Sequence, residues 1–137
     1  MKQRAELNWT EVGRVLTIRI RGEIDHHTAA PMRADMDELL FSHRPTELVL
    51  DMSGVSFMDS SGLGLIMGRY GVLRQLGGRL ILKDPSPETV SILRLAGMES
   101  TVQTVTTTPP KGAERGRTSS RRPRTSKKTT EKGRKIV

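Results

Sequence analysis

Apolar and polar residues alternate over 15–21. Leu16, Ile18 and Ile20 are apolar, and Thr17, Arg19 and Arg21 are polar. A period of two is the pattern of a strand with one buried face. Residues 5–12 before it, with Gly13 at the turn, complete a hairpin. The period then changes. Met32, Met36, Leu39 and Leu40 stand at i, i+4, i+7 and i+8, one stripe of a helix. Pro31 is tolerated in its first turn, and Pro45 lies beyond its end. The apolar run over 47–52 predicts a buried strand. The helical period returns from about Ser60 to Leu76, with Leu63, Ile66, Met67, Tyr70 and Leu73 on one face. Gly64, Gly68 and Gly71 fall on another, and each costs about 1 kcal/mol against alanine inside a helix. Two reasons fit such a face: close packing on a sheet, or a low-relief surface that admits a partner helix. Gly77-Gly78 ends this helix, and 79–83 is the next strand. Asp84-Pro85-Ser86-Pro87-Glu88 starts a third helix that runs to Leu95 and stops at Gly97. Residues 101–106 are a last β-rich piece. The expected order is ββαβαβαβ, a single α/β layer architecture.

The composition changes abruptly after Thr108. Residues 109–137 hold only Ala113, Ile136 and Val137 as apolar side chains. Ordering such a segment costs more entropy than burial returns, so 109–137 is expected to be a disordered tail behind a domain over 1–108. The formal net charge of +8 divides unevenly between the two. The tail carries 11 Lys/Arg and 2 Asp/Glu, a net of +9, and residues 1–108 carry the other 12 and 13, a net of −1. The absence of cysteine excludes disulfides and thiolate chemistry. No apolar run approaches the ~20 residues of a membrane-spanning helix. The start, Met1-Lys2-Gln3-Arg4-Ala5-Glu6, lacks the apolar core of a signal peptide. These features lead to a cytoplasmic expectation.

The chemistry concentrates in Phe57-Met58-Asp59-Ser60-Ser61-Gly62-Leu63-Gly64. Two serines sit there where a strand hands over to a helix. The first helical N–H groups are unpaired at such a corner and the helix dipole is positive. A serine oxygen can cap it, or a phosphate carried on serine can rest there. A nucleophilic serine would need a base, and His26, His27 and His43 are the only histidines. Gly54-Val55-Ser56-Phe57-Met58 lacks the second glycine of a nucleophile elbow. Gly62-Leu63-Gly64 lacks the Lys-Ser/Thr of a P-loop. His26 and His27 are adjacent, expected to diverge in an extended loop, and have no third ligand at a useful spacing. The residues therefore give no reason to expect an enzyme, a metal or a cofactor.

Ser56-Phe57-Met58-Asp59-Ser60-Ser61-Gly62-Leu63-Gly64, followed by Gly68-Arg69-Tyr70, is similar to the signature of bacterial anti-sigma factor antagonists, which have the STAS fold. Gly22-Glu23-Ile24-Asp25-His26-His27-Thr28-Ala29 resembles their second signature. The pair is most similar to the sporulation members, and the resemblance covers roughly residues 8–105. It implies a single STAS domain with a mixed sheet and packed helices. It implies a partner that is both anti-sigma factor and serine kinase, from which the antagonist displaces a sigma factor. ATP or ADP is bound by that partner. The kinase phosphorylates the first serine after the aspartate, here Ser60, and a serine phosphatase restores it. The resemblance places Asp25 on the partner-contacting surface. The partner-binding set expected here is Asp25, His26, Thr28, Asp59, Ser60, Ser61, Gly62, Gly64 and Gly68. Family members usually close with an amphipathic helix, where this chain has Thr106-Thr107-Thr108-Pro109-Pro110 and then the basic tail. Two other readings remain: nucleic-acid binding through the tail, or a STAS accessory subunit of a transporter or stress complex. A basic tail contacts phosphates without sequence preference. This one has no aromatic residue for base stacking, so nucleic acid is not an expected partner.

Overall fold

A computed structural model describes residues 5–107 and 130–136 of the chain. Strand β1 (Ala5–Val12) turns at Gly13, whose φ of 62° favours glycine, into strand β2 (Val15–Ile24). Helix α1 (Ala29–His43) leads to strand β3 (Glu47–Met58), helix α2 (Ser60–Leu76), strand β4 (Arg79–Lys83), helix α3 (Pro87–Leu95) and strand β5 (Gln103–Val105). This is the expected ββαβαβαβ order. A sixth strand, β6 (Thr130–Ile136), follows.

The six strands form one mixed sheet in the order β5-β4-β3-β2-β1-β6. The β2–β3, β3–β4 and β4–β5 pairs are parallel, as helical crossovers require, and β1 pairs antiparallel with both β2 and β6. The alternation seen in the sequence is the pleat. Leu16, Ile18 and Ile20 are fully buried, with Leu7 across from Ile20 and Trp9 across from Ile18, and Ala5 is buried with them. Met32, Met36, Leu39 and Leu40 of α1 cover them, the same four residues as the helical stripe. Helix α3 starts at a Ser86 cap whose hydroxyl accepts from Thr89 N–H at 3.1 Å.

Three features differ from the sequence expectation. Strand β3 runs six residues past Met52, and Gly54–Met58 pair with Arg21–Ile24 through two register shifts. The sequence expectation ended this strand at residue 52, and Gly54 is needed where it stands: a Cβ there would lie 2.8 Å from Arg21 Cγ and 3.0 Å from the Ile20 carbonyl oxygen. The core face of α2 is rotated. Gly62, Leu65, Ile66, Arg69 and Leu73 are its buried residues, while Leu63, Met67 and Tyr70 pack half-buried at its margin. The period was obscured because a charged residue, Arg69, occupies a core position. Finally, Thr130–Ile136 lies inside the segment expected to be a disordered tail, and it pairs with β1 from Ala5↔Ile136 to Glu11↔Thr130. Backbone pairing needs no apolar pattern, which is why composition did not mark this strand. The rest of the expected tail lies outside the described residues.

Candidate functional site

The two signature segments meet at the carboxyl ends of β2 and β3, where ligands and partners of parallel sheets usually bind. Ile24 and Met58 are paired, and Asp59 N–H donates to the Ile24 carbonyl at 3.2 Å. That bond ties the two loops together.

The loop after β2 is organised by its own polar side chains. Asp25 Oδ1 accepts from the backbone N–H of His27 at 2.9 Å and of Thr28 at 3.0 Å. The Thr28 hydroxyl donates to the Glu23 carbonyl at 2.8 Å and accepts from Asp25 N–H at 3.0 Å. Thr28 therefore precedes α1 without capping it, since its oxygen is spent on the loop. The Thr28 N–H bond is the main reason the Asp25 carboxyl sits below its ordinary 3.8; partial desolvation opposes it, and His27 adds to the lowering. Sequence reasoning had His26 and His27 diverging. In the structure the loop turns, and their rings lie 4.1 Å apart at 37°.

Helix α2 begins on the other side of this loop. Its N-cap is Asp59, in extended conformation, with Oδ1 accepting from Ser61 N–H at 2.8 Å. The cap is thus the aspartate and not Ser60, which the sequence had allowed as a cap. Ser60 is the first helical residue, is exposed, and its hydroxyl has no hydrogen-bond partner among the described residues. Ser61 is half-buried and faces α1 across a groove of about 280 Å³ between the first turns of the two helices. Phe57, half exposed, stands beside the corner.

Of the expected partner-facing set, His26, Ser60 and Gly64 are exposed, and Asp25, Asp59, Ser61 and Gly68 are partly so. Thr28 and Gly62 are buried and belong to the scaffold. Gly62 is the close-packing glycine of α2: a Cβ there would collide with the Met58 side chain. At Gly64, Gly68 and Gly71 a Cβ would meet nothing within 4 Å, so this face opens outward and does not pack on the sheet.

Two arginines complete the site and were missed. Arg69 is buried, with Nε 2.8 Å from Asp37 Oδ1 of α1, at an angle too bent for a hydrogen bond, and Nη2 3.4 Å from Oδ2. Its Nη1 donates to the Leu65 carbonyl at 3.3 Å. Burial pushes the Arg69 guanidinium below its usual range; the Asp37 charge opposes this and the nearby Arg33 charge adds to it. Arg33 lines the groove opposite Ser61. Its signal in the sequence is helical spacing: it lies four residues after Ala29 and seven after His26, and all three border the groove.

The STAS domain family matches residues 6–109. An anti-sigma F factor antagonist from Paenibacillus polymyxa is 40% identical over 84 residues, which span 61% of this chain and 72% of that protein. The anti-sigma-B factor antagonist of Bacillus subtilis (strain 168) is 28% identical over 87 residues, 64% of this chain and 78% of that one. Among solved structures, the unphosphorylated anti-sigma factor antagonist SpoIIAA superposes with a TM-score of 0.65 at 33% identity, covering 74% of this chain and 88% of that one. The Bacillus cell fate determinant SpoIIAA in its phosphorylated form gives 0.62 at 33% identity, covering 74% and 91%.

Proposed function

Because this chain belongs to the STAS-domain anti-sigma factor antagonists, we propose that it is a binding protein gated by phosphorylation of Ser60. Unphosphorylated, it captures an anti-sigma factor that is also a serine kinase and frees the sigma factor, in a circuit of the sporulation type. The partner supplies ATP, and a serine phosphatase reverses the modification. No helix among the described residues is long and apolar enough to cross a membrane.

The observation that carries this reading is the placement of Ser60. It is exposed at the first position of α2, with a hydroxyl committed to no other described group, beside a loop held rigid by Asp25 and Thr28. A kinase can reach it without unfolding anything. A phosphate adds about −1.5 to −2 of charge. The helix terminus accepts that charge within the domain. A partner surface shaped for a neutral hydroxyl does not, since an unmatched charge buried at an interface is costly. Asp59, one residue from Ser60, puts a second acidic side chain beside it.

The test is incubation of the full chain with a candidate anti-sigma kinase and ATP, followed by mass spectrometry and a binding assay. One phosphate on Ser60 is expected. Ser60→Ala should bind and resist switching, and Ser60→Asp should bind poorly. A phosphate on Ser61, or full binding by Ser60→Asp, overturns the mechanism.

A further inference from the structure

The groove between α1 and α2 carries positive charge. Buried Leu65 lines it with Ala29, Ala30 and Gly64, and its polar groups are His26, Arg33 and Ser61. Arg33 is exposed on the groove side of α1, the helix that also carries Asp35, Asp37 and Glu38. Asp37 is engaged by Arg69. The two guanidinium groups repel, which is one reason the Arg69 pKa is lowered. The Ser61 hydroxyl has no partner among the described residues. A groove lined by an exposed arginine, an imidazole and a serine hydroxyl is chemically complementary to an anion.

Ser60 adjoins Ser61 in sequence and lies one turn before Gly64, on the same side of the helix, and both of those residues belong to the groove's lining. The space a Cβ would take at Gly64 is open, with nothing within 4 Å. A group extending from the Ser60 oxygen therefore has room to turn inward past Gly64.

We infer that this groove is the resting place of the phosphate on phosphorylated Ser60, with Arg33 as its ion-pair partner and His26 as a second donor. The inference rests on the reading of Ser60 as the modified residue. It assigns Arg33 a role in the off state: it compensates the dianion inside the domain, against the repulsion of the Asp59 cap. The titratable and charged groups around the groove are Asp25, His26 and His27 of the first loop, Arg33, Asp35, Asp37 and Glu38 of α1, Asp59 of the second loop and Arg69 of α2.

The test uses the full chain with phosphoserine genetically encoded at position 60, so that no kinase is needed. The phosphate is followed by 31P NMR against pH, in the wild-type background and with Arg33→Gln, Arg33→Lys and His26→Gln. An opposite charge close by lowers a pKa. Arg33→Gln should therefore raise the second phosphate pKa by about 0.5 unit or more. Arg33→Lys should restore part of the shift, and added salt should shrink it. Phosphoserine encoded at the exposed Ser42, in the last turn of α1, should not respond to Arg33→Gln. Unphosphorylated Arg33→Gln should melt like the wild type. An unchanged phosphate pKa in Arg33→Gln, or an equal change at position 42, overturns the inference and leaves the kinase reading intact. Failure of every anti-sigma kinase to modify Ser60 overturns the kinase reading and leaves the encoded-phosphoserine result standing.

Discussion

The Arg69–Asp37 pair is the only buried ion pair described between α1 and α2, and its two members should not be equivalent. The Arg69 side chain is 4% exposed and the Asp37 side chain 30%. Asp37→Ala leaves a guanidinium inside the domain with one carbonyl contact, at 3.3 Å from Leu65, and with Arg33 still repelling it. Removing one partner of a buried pair costs about 3–5 kcal/mol. Because Asp37 is partly solvated, water can reach the vacated side, so the low end, about 3 kcal/mol, is the expected loss. At roughly 3–4 °C per kcal/mol for a domain of this size, the midpoint should fall by about 10 °C. Arg69→Met is the opposite case. The thioether fills the apolar space between Leu65, Ile66 and Leu73, and the remaining carboxylate turns to solvent, so the loss should stay under about 1 kcal/mol. Urea unfolding of the two single variants and the double variant, with unchanged m-values, measures both losses and the coupling between them. If Arg69→Met costs more than Asp37→Ala, the guanidinium is a net stabiliser and the desolvation argument is wrong.

Three other outcomes are expected. Gly62→Ala should destabilise by about 1–3 kcal/mol in thermal melts because its methyl group meets Met58, whereas Gly68→Leu, facing open space, should melt at or above the wild-type temperature. Asp59→Ala should lose about 1 kcal/mol as a missing cap, and Ser60→Ala almost nothing; the reverse order in chemical denaturation would show that the serine caps the helix after all. The Asp25 carboxyl is lowered from 3.8, so its contribution is present above that value and is lost as pH falls through the folded-state pKa. Asp25→Asn should therefore lose less stability than wild type between about pH 5 and pH 3.

The parts of this fold that were legible in the sequence are those where one period governs the side chains. Leu16, Ile18 and Ile20 alternate without exception, and Met32, Met36, Leu39 and Leu40 keep a strict helical stripe. The reading slipped where a polar residue took an apolar position. Arg69 among Leu65, Ile66 and Leu73 turned the apparent face of α2 by about one residue, because a buried ion pair leaves no mark in a hydropathy pattern. The end of β3 was missed because Ser53, Gly54 and Ser56 serve a register shift, a long-range feature. At the site, the order Asp59-Ser60 did not disclose which residue caps the helix, since both types do so readily. That choice is made by the extended backbone at Asp59, which the bond from its N–H to Ile24 helps to hold. Arg33 was passed over because its relation to Ser61 exists only once the two helices lie side by side.

The pairing of β6 with β1 also bears on the order of folding. Glu11 pairs with Thr130 and Ala5 with Ile136, so these contacts join parts of the chain more than a hundred residues apart. The β1–β2 hairpin closes over a turn at Gly13, and the parallel strands join through single helices. Contacts of such different sequence separation do not form together, because long loops close against a larger entropy loss. During synthesis β1 and β2 leave the ribosome well before β6, which follows everything it is to meet. The outer edge of β1 is consequently the last part of the sheet to find its partner. Until then its backbone N–H and C=O groups form an open row, available to a strand from a neighbouring nascent chain.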